Sequence, residues 1–568
     1  MTEQRTGAWV PTFVTLVLST AAAVALSFGV YLALGPEDTE PLESPLLLAV
    51  AHQLSHGPWE LYGPFGGENP LVIIHAPLYY RLAALVAWPL VGAGVDQITA
   101  ALAGGRGLSL LGLAWTMAAG YRLARLDGAP RTAGSWAALL IAASPVVDVM
   151  PFTVRPDMLG IALQTTGVLL VLSVLRAPKR RLAALPAAYT AFALAACTKQ
   201  HFIVGPIVST FLLLAACMRG RLSLRLVFLG LSSGLLVLLL VYGAEELASE
   251  GRMSRAIIEA AASSAQVHPV GWLRAAVVVT GIIGKSGGLI VMLLAAGLAG
   301  IAAQPGLVRR ALVVVGTGLM IVITVRTILD TLHFLLTGWD VFVIFSAFGI
   351  ALFLVLPACV LMSRPSRSIE WLDGTLALFL AAEFALVLVL SRASAGAWLN
   401  YGIQAIVFAS VLTARALART CAGGLRTMAS ILISLAALNF FVGVCHNAVA
   451  TAESRSDEKI AIFHLLDHYK RPATEFFFVD RPGLNRLYGS PRLVYDHWLY
   501  PVFESTHLAQ SRSIWLRNAL TSGHVRFVVN TSESINIDGL GQTLPEMGYT
   551  RDVKVGTMFY VWQHSRFD

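Results

Sequence analysis

Apolar runs of membrane-spanning length recur along most of this chain, parted by short basic clusters, and no single soluble core could hide them all. The first is Trp9–Leu34, longer than a signal-peptide core, which reads as an uncleaved anchor. Seven more follow in the first half: Gly107–Leu123, Gly134–Val149, Met158–Leu175, Leu182–Thr198, Phe202–Met218, Leu226–Gly243 and Ala275–Ala303. Ala311–Leu332, Val341–Met362, Leu376–Leu390, Trp398–Leu417 and Met428–Val449 bring the expected total to 13. With 56% hydrophobic and 13% charged residues among 568, the chain needs lipid as solvent. Its net charge of +8 does not indicate a nucleic-acid partner, because the basic residues sit in clusters between apolar runs, such as 176–181 and 219–225. All five cysteines lie in or beside apolar runs, which fits packing residues rather than a disulfide framework.

One apolar run, Leu78–Val91, is short for a span and contains Arg81. If it crossed, the clusters at Arg122/Arg125/Arg131 and at 176–181 would fall outside, against the positive-inside rule, so it is expected to lie in the interface. The N-terminus is then cytoplasmic and the tail extracytoplasmic. Two large outer features result: a loop from Gly35 to about Arg106, and a tail from Thr451 onward with the composition of a soluble domain. The expected architecture is a mostly α polytopic body, 1–450, followed by a small α/β domain, 451–568. In the tail, Glu475–Val479 and Val525–Val529 read as strands, Lys554–Trp562 as a closing hairpin, and Ile460–Tyr469 and Ser513–Leu520 as helices.

Chemistry is expected in the first outer loop, where Glu37, Asp38, Glu40 and Glu43 crowd directly after the first span. A carboxylate held at a membrane surface can take the proton of an acceptor hydroxyl while a cation holds a departing phosphate. Lys199, followed by Gln200 and His201 at the outer end of a span, is placed to bind a phosphate, or else to snorkel to the interface. Arg326, Asp330 and His333 share one helical face, and Arg392 precedes Trp398–Tyr401.

The run ESPLLLAVAHQLSHGPWELYGP from Glu43, HAPLYYRL from His75, Arg106 opening a span, and RPDMLG from Arg155 together resemble the GT-C glycosyltransferases. Among them the pattern is similar to the protein O-mannosyltransferases and the lipid A aminoarabinose transferases. The resemblance covers about Leu34 to His201 and implies a multi-span body, a polyprenyl-phosphate sugar donor, and a lipid, glycan or protein acceptor. Glu43 matches the glutamate of the family's aspartate–glutamate pair, and although Leu42 stands where the aspartate usually is, the expected base is Glu43, ahead of Asp38, Glu40 and Asp157. The resemblance also makes Asp157 the second acid and Arg106 a phosphate ligand, with Arg155 its neighbour and His75 in a place where relatives often carry a basic residue. Tyr79, Tyr80, His201 and Arg392 are candidates to touch sugar or lipid.

No metal-ligand spacing, phosphate-cradling glycine loop or nucleophile elbow is present, so no cofactor is expected and a divalent metal has no support in the sequence. Two alternatives stay open: a transporter or flippase of lipid-linked sugars, and an oligosaccharide polymerase or ligase using the loop Ala244–Arg274.

Overall fold

The computed structural model describes residues 9–35, 43–57, 61–62, 73, 75–147, 149–177, 184–258, scattered helical positions between 275 and 295, 367–393, 399–422, 427–471, 475–478, 518, 520–522, 525–530, 544–555 and 559–567. Helices dominate. Helix α1 (Trp9–Leu34) leads to α2 (Glu43–His56) and α3 (Leu78–Gly92), then α4 (Gln97–Ala124), α5 (Arg131–Ala143), α6 (Asp157–Arg176), α7 (Ala184–Thr198), α8 (Val204–Met218) and α9 (Leu224–Ala248). Further along come α10 (Arg367–Ala393), α11 (Ile403–Ala422) and α12 (Thr427–Tyr469). Among the described residues, seven helices are long and apolar enough to cross a membrane, and the protein is a multi-pass membrane protein. The expected spans Ala311–Leu332 and Val341–Met362 lie outside the described residues, as do Arg326, Asp330 and His333.

The centre of the bundle is α4 and α6, with α3 and α5 against α4, α7 and α8 against α6, and α11 against α5. Small residues set how close these helices come. A Cβ at Gly105 would fall 2.6 Å from the Val154 side chain, and one at Gly112 would fall 2.8 Å from the backbone of Met158 and Leu159. Helix α4 therefore runs directly over the segment that opens α6. Its start is fixed by Asp96, whose carboxylate accepts from the Thr99 amide at 3.0 Å.

Helix α3 meets the first half of α4: a Cβ at Gly104 would meet Ala83 and Ala87, and the Tyr79 hydroxyl donates to the Gly105 carbonyl at 2.8 Å. Leu85, Val86 and Trp88 stand exposed on its other side.

At the far end of α4 a second polar cluster ties the helices. Arg415 of α11 donates to Asp373 of α10 at 2.6 Å, to the Ala124 carbonyl at 2.8 Å and to Asp127 at 2.8 Å, while Arg419 also pairs with Asp373. From Arg106 to Ala124 the helix rises roughly 27 Å, close to the ~30 Å hydrocarbon thickness of a bilayer.

The structure departs from the sequence reading in two elements. Helix α5 stops at Ala143, short of the expected Val149, because Ser144 and Pro145 break it and Met150–Phe152 turn as a 3-10 helix. Helix α12 is a continuous 43 residues, joining the expected last span to the expected tail helix and carrying the 450/451 boundary in its middle. Its final turns present Ala461, Ile462, Leu465 and Tyr469 to a four-stranded sheet: β1 (Phe476–Phe478), β2 (Phe527–Asn530), β3 (Tyr549–Val555) and β4 (Phe559–His564). The spatial order is β1-β2-β4-β3, with β1 parallel to β2 and the other pairs antiparallel. Phe476, Phe478, Phe527, Val529, Phe559 and Val561 alternate onto the face that α12 covers. Strands therefore form where the aromatic and β-branched runs at 475–479 and 525–529 place them, and the hairpin is longer than expected.

Candidate active site

Two acids open helices at the same end of the bundle. Glu43 is the first residue of α2 and Asp157 the first of α6, where the helix macrodipole favours negative charge, and both are almost wholly buried. A buried carboxylate needs partners, and each has them.

Glu43 meets Arg106 side-on: Arg106 Nε donates to Oε1 at 2.9 Å and a terminal nitrogen to Oε2 at 2.8 Å. Arg106 also donates to the carbonyls of Ala33 and Gly35, both at 2.7 Å, where α1 ends. The Val154 amide donates to Glu43 Oε1 at 2.8 Å. One ion pair thus ties the exit of α1, the start of α2, the body of α4 and the turn before α6. The acids Asp38 and Glu40 lie between these anchored ends, at 36–42, outside the described residues.

Tyr79 joins this layer to the next. Its hydroxyl lies 2.9 Å from Ser109 Oγ, and Ser109 donates to the carbonyls of Thr153 and Arg155 at 2.7 and 3.1 Å. Asp157 follows. Its Oδ1 accepts from Lys199 Nζ at 2.8 Å and from Asn400 Nδ2 at 3.1 Å, and its Oδ2 from Arg155 Nε at 3.1 Å. Lys199, just past the end of α7, is 2% exposed, and its ammonium sits 4.7 Å from the centre of the Tyr401 ring. The His201 ring lies tilted against the same ring at 4.6 Å and against Phe202 at 4.3 Å, centre to centre.

Among the described residues, His75 Nδ1 and Tyr80 Oη at this cluster are buried polar atoms with no hydrogen-bond partner. His75 hangs from a short loop held by Tyr62, whose hydroxyl donates to the His75 carbonyl at 2.6 Å, and Arg252 in turn donates to the Tyr62 carbonyl at 2.7 Å. Burial first, then the charges of Lys199 and Arg155, push the His75 imidazole down to about 3; Asp157 opposes them. The same three influences hold His201 well below its usual range. Both rings are neutral at pH 7. Arg155 and Lys199 both pair with Asp157.

The structure therefore brings together Asp157, Arg155, Lys199, His75, Tyr80 and His201, and joins Glu43 and Arg106 to each other with Tyr79 between the two groups. Arg392 is exposed in the last turn of α10 and is not buried with them. Asn400 and Tyr401, from the Trp398–Tyr401 segment noted beside Arg392, do belong to the cluster. Beside the cluster, Arg81 pairs with Glu245 at the end of α9 and donates to Gln53 at 3.0 Å, bracing α3 against α9 and α2. No group of three or more His, Cys, Asp or Glu that could hold a metal occurs among the described residues.

No protein-family model and no curated protein matches the chain. Among solved structures it is similar to ArnT from Cupriavidus metallidurans in the apo state, at 13% identity and a TM-score of 0.41, covering 96% of this chain and 97% of that one. The same protein bound to undecaprenyl phosphate gives 14% and 0.44 with the same coverage. An Archaeoglobus fulgidus oligosaccharyltransferase in complex with Zn and sulfate gives 16% and 0.45, covering 96% of this chain and 72% of that one.

Proposed function

We propose that this protein is an integral membrane glycosyltransferase that moves a sugar from a polyprenyl-phosphate donor to an acceptor hydroxyl on the outer face of the membrane. The observation that carries the proposal is the buried cluster at one end of the bundle, Lys199 and Arg155 around Asp157, with His75 Nδ1 and Tyr80 Oη buried beside it and without partners among the described residues. Buried cations beside a helix start suit an anionic ligand, and buried polar atoms without a partner among the described residues suit a polar one. A lipid phosphate supplies both at this depth. The sequence resemblance to GT-C enzymes points to the same donor.

In this reading the acceptor oxygen attacks C1 of the sugar, a carboxylate takes its proton, and the bond from C1 to the phosphate oxygen breaks. The electron pair leaves with the polyprenyl phosphate, whose growing charge Lys199 and Arg155 stabilise. Asp157 orients those two cations rather than serving as base. Glu43 has both oxygens engaged, so we assign it, with Arg106, the work of holding the acidic segment in place. The proton acceptor is then Asp38 or Glu40, in the segment that the pair anchors. Tyr79, through Ser109, fixes the backbone that presents Arg155.

The test is transfer by the purified full-length protein in nanodiscs from a panel of polyprenyl-phosphate monosaccharides. Lys199→Met is expected to lower kcat/KM by about 10²- to 10³-fold, the scale for loss of a donor to a developing oxyanion. Either Asp38→Asn or Glu40→Gln is expected to abolish transfer with thermal stability unchanged. Full activity of both would remove the base from this segment. Transfer from a soluble nucleotide sugar, with no lipid phosphate present, would overturn the donor class.

A further inference from the structure

A carboxylate unused by this chemistry lies deeper in the bundle. Glu383, midway along the apolar stretch of α10, is 3% exposed, and its hydrogen bond comes from a neutral group, Gln164 Nε2 of α6, at 2.6 Å. No described cation pairs with it. From Asp157 to Gln164 the helix descends roughly 10 Å, so Glu383 sits inside the hydrocarbon zone, where an uncompensated carboxylate is costly.

Two more oxygens at the same seam lack partners. Gln164 Oε1 is buried and unpaired. The Gln164 side chain packs on Gly205 of α8, where a Cβ would come within 2.8 Å of it. Ser209, one turn on along the same face of α8, is fully buried with its hydroxyl unpaired. Helix α8 packs against both α6 and α10, so the seam gathers a carboxylate, an amide oxygen and a hydroxyl.

We propose that Glu383, Gln164 and Ser209 bind a small monovalent cation of the sodium class. All three ligands are hard oxygen donors, which suits an alkali cation. One carboxylate matches one positive charge, whereas divalent cations call for more oxygens and more negative charge. The ion neutralises Glu383, satisfies the orphaned oxygens and clamps α6, α8 and α10 beneath the polar cluster.

The experiment uses the full-length protein in detergent at pH 8, with sodium chloride titrated against N-methyl-D-glucamine chloride at constant ionic strength. Saturable binding of radioactive sodium at one ion per chain is expected, with a matching rise in Tm, since a ligand bound only by the folded state stabilises it. Lowering the pH to 6 is expected to weaken sodium binding, because protons compete for the one carboxylate. Glu383→Gln is expected to abolish both responses. Ser209→Ala, which leaves the carboxylate in place, is expected to weaken sodium affinity about tenfold and serves as the test if Glu383→Gln does not fold. No saturable sodium binding by the unaltered protein at pH 8 would overturn the proposal. So would unchanged affinity in Glu383→Gln or in Ser209→Ala.

Discussion

At the scale of residues, the two acids at helix starts do different things, and their partners show which. Asp157 accepts from two cations and an amide, Lys199, Arg155 and Asn400, whereas Glu43 and Arg106 pair with each other and their other described hydrogen bonds go to backbone. Removing one member of a buried pair strands the other, at a cost of about 3–5 kcal/mol. Arg106→Ala is therefore expected to lower the thermal stability of the purified protein sharply, and a variant that keeps full stability but loses only donor use would return Arg106 to the phosphate. The neutral His75 supplies a pH signature. Its folded value of about 3 lies below the ~6.5 of an unfolded imidazole, so the unfolded chain binds the extra proton first. Its contribution to stability is complete above pH 6.5 and is lost as the pH falls toward 3, at up to about 1.4 kcal/mol per unit. Tm measured from pH 7 to 4 should fall less steeply in His75→Asn, while an unchanged slope would show that His75 charges freely when folded. The types of residue at this site were legible in the sequence: carboxylates after a span, a cation after another, a histidine before a proline. Their pairing was not, because Asn400 reaches Asp157 across 243 positions of chain, and no local spacing encodes such a contact.

At the scale of elements, hydropathy marks where helices lie but not how close they come. The runs at 9–34 and 158–175 were legible as helices from their apolar length alone, and the aromatic strands of the tail from their composition. The short stop of α5 at Ala143 and the unbroken course of α12 were not. In α5 a Ser-Pro step overrides apolar continuity. In α12 the residues past Val449 turn polar on most sides, yet Ala461, Ile462 and Leu465 keep helical spacing and find the sheet to cover them. Close approach depends on single glycines scattered among many. Gly112→Ala places a methyl group 2.8 Å from the α6 backbone, which cannot move aside as a flexible side-chain tip would. The expected result is a loss of about 1–3 kcal/mol of stability, the usual range for overpacking, read as a lowered Tm and as reduced transfer, since α4 carries the Ser109 that holds the Arg155 carbonyl. At Gly107, where nothing stands within 4 Å of a Cβ, the same substitution should be silent.

At the scale of the whole molecule, the two polar clusters lie at opposite ends of α4, and their company differs. Around the Arg415 cluster gather Arg122, Arg125 and Arg131, and the turn after α8 brings Arg219, Arg221 and Arg225 to the end of the bundle away from Lys199. Around the Asp157 cluster the charges are buried and paired. By the positive-inside rule the first end is expected in the cytoplasm and the Asp157 end at the outer face. Helix α3 bears on the same question, because it meets the first half of α4 and shows Leu85, Val86 and Trp88 outward, as expected of a helix lying in the interface. Helix α12, about 65 Å long at ~1.5 Å per residue, is about twice the ~30 Å hydrocarbon thickness, so its polar half is expected to carry the sheet clear of the lipid. Single cysteines test this arrangement in a background with the native cysteines replaced. Cysteines at Ser55 and Asp96, beside α3, are expected to react with an impermeant maleimide in intact cells, and cysteines at Asp127 and Arg219 only after permeabilisation. A cysteine at Asp96 protected until permeabilisation, with the one at Ser55 labelled, would mean that α3 crosses the membrane. That would place the two ends of α3 on opposite sides, and the Tyr79–Gly105 hydrogen bond and the Asp96 cap of α4 could then no longer share one face of the bilayer.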